Sequence, residues 1–467
     1  MKILLITMTA LIFSACGNSQ SKEQYFIKRN FPTEVNTNPK IINKLITDIK
    51  NEKIQNIHSI LILKDDYLIT EEYFGGQKKS DIHYTASISK SFASTLLGIA
   101  IDEGFFKGDI ETVLNKKVSE LFPEYKNLIS KDSLKNNLKL KHMLTMTAGF
   151  EWDEHTFPYS DSRNDCIRIN NSEEPMKFLF ERKLIHKPGT EFYYNGGLSL
   201  AISYLIEKYT KIPVDKFAEK YLFKPLNIDE YQWEKLPNGL IDTDGGLHLK
   251  PIDQAKLGYL FLNKGSWKGD QIVTKEWVKV SATMHKKNNG MPDYGYQWWG
   301  GNYGVFNQTF EMFLASGHGG QKIVVIPKLN AVIVIAQQVF NNPYGHINFI
   351  SIMSDYVLPA LTNEVHKNDA IPTSNDNLKH FEGHFQLTNN NTEFIDFSVD
   401  NRSLIGLSSD GQKNVFVRIS ENVFKTRVMD LIDIHIEFIE DDEGNIESIT
   451  SDFAFQHKKY TKTSNSQ

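Results

Sequence analysis

The sequence predicts an α/β protein of the α+β kind: a sheet that begins early, yields to a large helical insert and resumes late, followed by a small antiparallel β domain. Three patterns lead there. Two apolar runs, Ile57–Lys64 and Tyr67–Phe74, are joined by Asp65-Asp66, a hairpin signal. A second pair, Gln321–Ile326 and Val332–Ala336, is joined by Pro327-Lys328-Leu329-Asn330. Beyond a polar stretch near 362–378 the chain reads almost entirely as short strands and turns.

Taken in order, Met1-Lys2 and the apolar run Ile3–Ala15 are too short for a stable bilayer anchor and end in Phe13-Ser14-Ala15-Cys16. That resembles a bacterial lipoprotein signal with Cys16 as the lipidated residue, although Leu is usual where Phe13 stands. An ordinary secretory signal is the alternative, and both place the folded chain outside the cytoplasm. Residues 16–38 are polar and read as a tether. From Pro39 to Lys53 the spacing of Ile41, Ile42, Leu45, Ile46 and Ile49 is helical. A long apolar helix is expected from Ser87 to Glu103, and a helical subdomain over about 100–240. The domain of residues 39–362 is followed by a linker at 363–378 and the β domain at 379–467. In that last domain Phe394–Val399, Ser403–Leu407, Val415–Ile419, Ile432–Phe438 and Ile446–Phe455 read as strands.

Composition narrows the function. A net charge of −5 leaves no basic excess for phosphate contacts, so nucleic acid is not an expected partner. Only Cys16 and Cys166 are present, so with Cys16 acylated no intrachain disulfide is possible. Cys166 reads as structural. His380 and His384 share an H-x-x-x-H spacing, but at a strand start this does not make a zinc site. No metal and no organic cofactor is expected.

The chemistry-bearing motif is Ser87-Ile88-Ser89-Lys90. A serine in the first turn of a helix and a lysine three residues later share a face, so the amine reaches the hydroxyl. The positive end of the helix dipole and burial both push Lys90 towards the neutral form that a general base needs. The same spacing occurs by chance at Ser19-Gln20-Ser21-Lys22; what separates Ser87 is the strand pair before it and the apolar helix after it.

The run Ala86-Ser87-Ile88-Ser89-Lys90-Ser91-Phe92 resembles the nucleophile motif of the serine β-lactamase-like, penicillin-recognising hydrolases, in the AmpC-like branch with its esterase and amidase relatives. Similar landmarks follow in family order: Leu144-Thr145-Met146-Thr147-Ala148-Gly149, Pro188–Gly197, Asp244-Gly245-Gly246-Leu247, and Ser316-Gly317-His318-Gly319-Gly320-Gln321. The resemblance implies an antiparallel sheet flanked by helices, and a Ser87 nucleophile with Lys90 as base. The family tyrosine falls at Tyr193 if Tyr193-Tyr194-Asn195 is read literally. The Phe192-x-Tyr194 framing favours Tyr194, with Gly196 then standing where the family has Asn or Ser. The third motif becomes His318-Gly319-Gly320, and the resemblance places the oxyanion hole on the amides of Ser87 and Gln321. His318, Gly319, Gly320 and Asn195 are the expected substrate contacts, and Trp152, in Glu151–His155, a further one at the rim. Expected substrates are small esters, amides (as in the nylon-oligomer hydrolases), D-amino-acid peptides or β-lactams; an acylating protein with little turnover is the alternative. A lipid anchor is the only expected membrane contact. The last domain resembles a lipocalin-like appendage.

Overall fold

The computed structural model describes residues 27–28, 35–288, 292–305, 308–340, 344–362, 375–390, 392–400, 403–428 and 432–463. Cys16 and the expected signal segment lie outside them.

Helix α1 (Pro39–Lys50) starts with Pro39 at its first position and with the Asn38 side chain accepting from the Lys40 amide. Strands β1 (Ile57–Lys64) and β2 (Tyr67–Tyr73) pair antiparallel. Asp65 and Asp66 both take positive φ, 48° and 68°, the twist that matches a two-residue hairpin. Helix α2 (Ile88–Asp102) is buried at every residue from Ile88 to Ile101, which is why its sequence is apolar all round and not amphipathic. Helices α3 (Gly196–Thr210) and α4 (Pro251–Leu262) follow, with shorter helices between α2 and α3 making up the predicted helical subdomain.

Four strands then complete the sheet: β3 (Trp299–Val305), β4 (Gln308–Gly317), β5 (Gln321–Ile326) and β6 (Ala331–Gln337). From one edge the order is Ile27–Lys28, β2, β1, β6, β5, β4, β3 and Asp293–Tyr294. The central strands are continuous Ile, Val and Leu because both faces are covered. Alternate residues of one strand fall in different cores: Ile323 and Val325 pack with α2 and α4, whereas Val324 and Ile326 pack with α1 and α5 (Tyr344–Ser351). The sequence pattern missed β3 and β4, whose glycines and aromatics do not alternate cleanly. The tether also needs correction. Ile27–Lys28, within the stretch read as a tether, pairs in parallel with Tyr67–Leu68 at that edge of the sheet.

The C-terminal domain is a closed barrel of eight antiparallel strands, from Gly383–Leu387 to Gln456–Thr463, whose first and last strands pair through His384 and Thr463. Three strands, including Val423–Val428, went unrecognised because their alternation is weak. Phe385, Phe397, Phe416, Phe424 and Phe438 fill the interior, with edge-to-face ring pairs 5.1–5.8 Å apart. The barrel centre is therefore a packed core and not a cup. Its last turn docks on β3: Gly304 donates to the Ala454 carbonyl at 2.7 Å, and the Phe455 ring meets Tyr303 edge-on at 5.2 Å.

Gly98 lets α2 sit in the core. A Cβ built there would lie 2.3–2.5 Å from three atoms of the fully buried Trp277 indole. Gly98→Val is expected to lower the unfolding free energy in urea by about 1–3 kcal/mol through overpacking, although helices generally prefer other residues to glycine. An unchanged urea midpoint would contradict this packing.

Candidate active site

Ser87 sits at the N-cap of α2, immediately after Ala86 with φ of 49°. A left-handed alanine costs about 1–2 kcal/mol, so the turn must be held from outside. Thr85 donates its hydroxyl to the Leu247 carbonyl at 2.7 Å, and Ser89 donates to the Ala86 carbonyl at 2.8 Å. The Leu247 amide in turn donates to Ser89 Oγ at 3.1 Å. On the other side, a Cβ on Gly317 would lie 2.2 Å from the Thr85 carbonyl oxygen. Only glycine lets β4 come this close to the serine turn.

Lys90 Nζ donates to Ser87 Oγ at 3.0 Å and to the Asp244 backbone carbonyl at 2.8 Å, and it forms a direct ion pair with Asp244 Oδ1. Both side chains are almost fully buried. Cys166 Sγ donates to the other Asp244 oxygen at 2.7 Å. Glu154 completes the cluster. Its Oε2 accepts from the Trp152 indole at 2.8 Å and the Gly196 amide at 2.7 Å, and its Oε1 accepts from the Tyr159 hydroxyl at 2.8 Å.

These contacts correct the expected charge state of Lys90. Burial does act to lower its pKa, but Asp244, Tyr194 and Glu154 outweigh it and hold the amine well above its ordinary value. The buried pair with Asp244 thus favours the ammonium form of Lys90 at rest. Burial and the charge of Asp244 push Glu154 upward, against the pull of Lys90 and the Gly196 amide. Burial and Asp244 also raise Asp242 to about 7, although the amides of Asp244 and Gly245 donate to its Oδ1. Among the described residues, Glu154, Cys166 and Asp244 are the one set close enough to share a metal ion, but the Lys90 ammonium already supplies the positive charge there.

Tyr194 faces the Ser87 hydroxyl, with Lys90 Nζ 5.0 Å from its ring centre and Trp299 stacked behind it at 5.7 Å. Burial pushes its phenol up to about 12. Tyr193 packs towards His186 instead, so the Phe192-x-Tyr194 register is the one that meets the serine. Ser87, Tyr194 and Glu154 open onto a cavity of about 630 Å³. Its walls are largely aromatic, from Phe157, Tyr159, Phe192, Trp299 and Phe349, and the barrel turn Ala454–Gln456 closes one side.

The other expected residues divide. His318 lines the cavity against Tyr159 and Phe340. Gln321 does not. Its side chain is fully buried and bonds Gln337, whereas Ser316, Gly317 and His318 line the cavity. Gly319 and Gly320 shape the β4–β5 turn with positive φ and lie against Phe340 and Gln337, away from the cavity. Asn195 is buried outside the cavity and its Oδ1 accepts no hydrogen bond among the described residues. Trp152 is likewise buried, and it positions Glu154. His384 bonds Asp396 and His380 bonds Glu440, far apart in role from any shared ligand set.

Asp244 and Glu154 lay inside segments marked in the sequence, a family landmark and a candidate pocket rim, without a role of their own, and Lys322 was not singled out. The available signals were an acidic residue before Gly245-Gly246 and another beside Trp152. Gly196 explains Asp244: a Cβ at 196 would lie 2.5 Å from the Asp244 carboxylate. The side chain absent from position 196 leaves room for an acid from a distant loop.

The comparisons fit this geometry. A protein of Salmonella heidelberg named D-alanyl-D-alanine carboxypeptidase is 23% identical over 259 residues, covering 51% of this chain and 57% of that protein. The chain thus spans little more than half the length of that relative. The 6-aminohexanoate-dimer hydrolase of Paenarthrobacter ureafaciens is 25% identical over 298 residues, covering 59% of this chain and 71% of its own. The octameric penicillin-binding protein homologue from Pyrococcus abyssi shares the fold over 91% of this chain and 99% of its own, at 17% identity and a TM-score of 0.54. The Beta-lactamase family model matches residues 58–354, most of the chain, and the protein belongs to the beta-lactamase family.

Proposed function

We propose that the protein is a serine hydrolase that cleaves a small ester or amide through a Ser87 acyl-enzyme. The observation that carries this reading is the Ser87 hydroxyl held 3.0 Å from Lys90 Nζ and facing Tyr194, at the mouth of an aromatic-walled cavity. A charged Lys90 cannot accept a proton. Within the buried pair, however, moving one proton from Lys90 to Asp244 gives an amine and a carboxylic acid, and a dry site narrows the gap between the charged and neutral forms. In the neutral form Lys90 takes the Ser87 proton as Oγ bonds the substrate carbonyl carbon. The Tyr194 phenol delivers a proton to the leaving oxygen or nitrogen and recovers one through Lys90. Water then attacks the acyl-enzyme with the proton flow reversed.

The developing oxyanion is received by the Ser87 amide, at the positive end of α2, together with the backbone edge at Gly317-His318. This edge is preferred to the Gln321 amide that the resemblance implies, because Gly317 and His318 line the cavity and Gln321 does not. The relatives' names, a peptidase and an amide hydrolase, support cleavage at an acyl carbon without choosing the substrate. Export as a lipoprotein through Cys16 belongs to the same proposal; no helix among the described residues is long and apolar enough to cross a membrane.

Steady turnover of p-nitrophenyl acetate is expected, with nitrocefin assayed beside it, and Ser87→Ala should lower kcat by roughly ten-thousandfold or more. A stoichiometric burst without turnover would instead fit an acyl-binding protein, and equal rates in the variant would overturn the assignment of Ser87. In Asp244→Asn, burial acts on Lys90 without its closest counter-charge, so the pKa of Lys90 falls. The pH profile of kcat/KM should then move to lower pH by about 1 unit or more. A profile that stays in place would show that Asp244 does not control Lys90.

A further inference from the structure

The cavity does not end at the serine. β4 loses its neighbour β3 after Leu314, which pairs with Trp299, so Ser316 and Gly317 form an uncovered edge. Gly317 points to the α2 side of the sheet, against Thr85 and Ala86. Ser316 and its cross-strand partner Lys322 lie on the opposite face, the one shared with Leu314, Val324 and Phe349. The cavity includes Ser87 and His318 on one side of this edge and Lys322, Phe349 and the barrel turn on the other. A substrate whose carbonyl is at Ser87 therefore has a continuous path round the edge of β4.

Lys322 is the unusual member of that second chamber. It is only 2% exposed, and among the described residues no carboxylate pairs with it. Its ammonium donates to Ser316 Oγ at 2.7 Å and lies 5.6 Å from the centre of the Phe349 ring. One hydroxyl and one aromatic face leave an ammonium's donors incompletely used. A buried cation without an anion is costly, and burial alone pulls this one down to about 8, so it remains mostly charged at neutral pH. Nothing in the proposed reaction uses Lys322: the proton-handling groups are on α2 and the α3 side, across the sheet edge. An apolar side chain there would pack against Phe349 without that cost.

We propose that Lys322, with Ser316, is the anion subsite of this hydrolase and binds a free carboxylate carried by the substrate some bonds away from the scissile carbonyl. The inference rests on the hydrolase reading and narrows its substrate class to ω-carboxy esters or amides, including amino-acid and peptide amides with a free carboxyl end. Bound in the chamber, the carboxylate takes the hydrogen bonds that Ser316 leaves unused and neutralises the lysine in a setting with little competing water.

The test uses the full chain and p-nitrophenyl monoesters of succinate, glutarate and adipate, each against its methyl-capped neutral analogue. Acetates of 3-hydroxybenzoate and of its methyl ester place the charge on the leaving side. At least one charged substrate is expected to exceed its neutral partner roughly tenfold or more in kcat/KM, mainly through KM. Lys322→Met should abolish that preference while leaving the neutral esters within about threefold, and Lys322→Arg should retain part of it. Thermal melts should show Lys322→Met folded, since it removes a desolvated charge. Equal rates for charged and neutral substrates, or equal losses on both in Lys322→Met, would overturn the subsite. If no ester is turned over, calorimetry of glutarate binding decides the matter separately from the hydrolase reading. Binding that Lys322→Met abolishes supports the subsite, and binding that is absent or unaffected refutes it.

Discussion

The buried pair between Lys90 and Asp244 is the constraint around which the catalytic domain is arranged. Lys90 is carried on the central helix and Asp244 on a loop far along the chain, and both side chains are almost fully buried. Removing one partner of such a pair typically costs about 3–5 kcal/mol, because the other is left buried and uncompensated. The surrounding groups bring further elements to the same point. Cys166 bonds the second Asp244 oxygen from a short helix, and Glu154 ties the Trp152 loop to the first amide of α3. Gly196 has no side chain because the Asp244 carboxylate fills that space. The cluster holds the helical subdomain against α2 and sets the protonation state of the serine's neighbour.

The same pair explains why the sequence was only partly informative about the site. Ser87 and Lys90 are legible because one helical turn separates them between a strand pair and an apolar helix, and Tyr194 because the family resemblance supplies the Phe192-x-Tyr194 framing. Local spacing carries no information about what opposes Lys90 from another part of the chain. Helix dipole and burial alone suggest a neutral lysine, and groups from distant parts of the chain, Asp244 foremost and then Tyr194 and Glu154, reverse the direction. Gln321 shows a second limit of local pattern: past the tight turn through Gly319 and Gly320 its side chain enters the strand interior and bonds Gln337, while the cavity is lined by Ser316, Gly317 and His318. Lys322 was hidden for the same reason: on paper it follows a glycine-rich turn, and only the sheet shows that it faces the cavity from the far side of β4.

At the level of fold, the apolar runs of β1, β5 and β6 and the all-apolar α2 were legible because burial on both faces erases ambiguity. The barrel's existence was legible from its strands and turns, but its closure was not, since the pairing of His384 with Thr463 joins segments of weak pattern. That closure matters for function. The turn between the last two strands is carried to β3 and becomes a wall of the cavity, so a domain with a packed aromatic interior contributes to the site through its rim.

The most direct test of the central claim is intact-mass and peptide-level spectrometry of the protein after exposure to a fluorophosphonate, with Lys90→Met alongside. The account requires a single adduct on Ser87, formed at least a hundredfold more slowly without Lys90 (roughly the contribution expected of a positioned general base). An adduct on another residue, no adduct at all, or labelling of Ser87 at the same rate without Lys90 would contradict it.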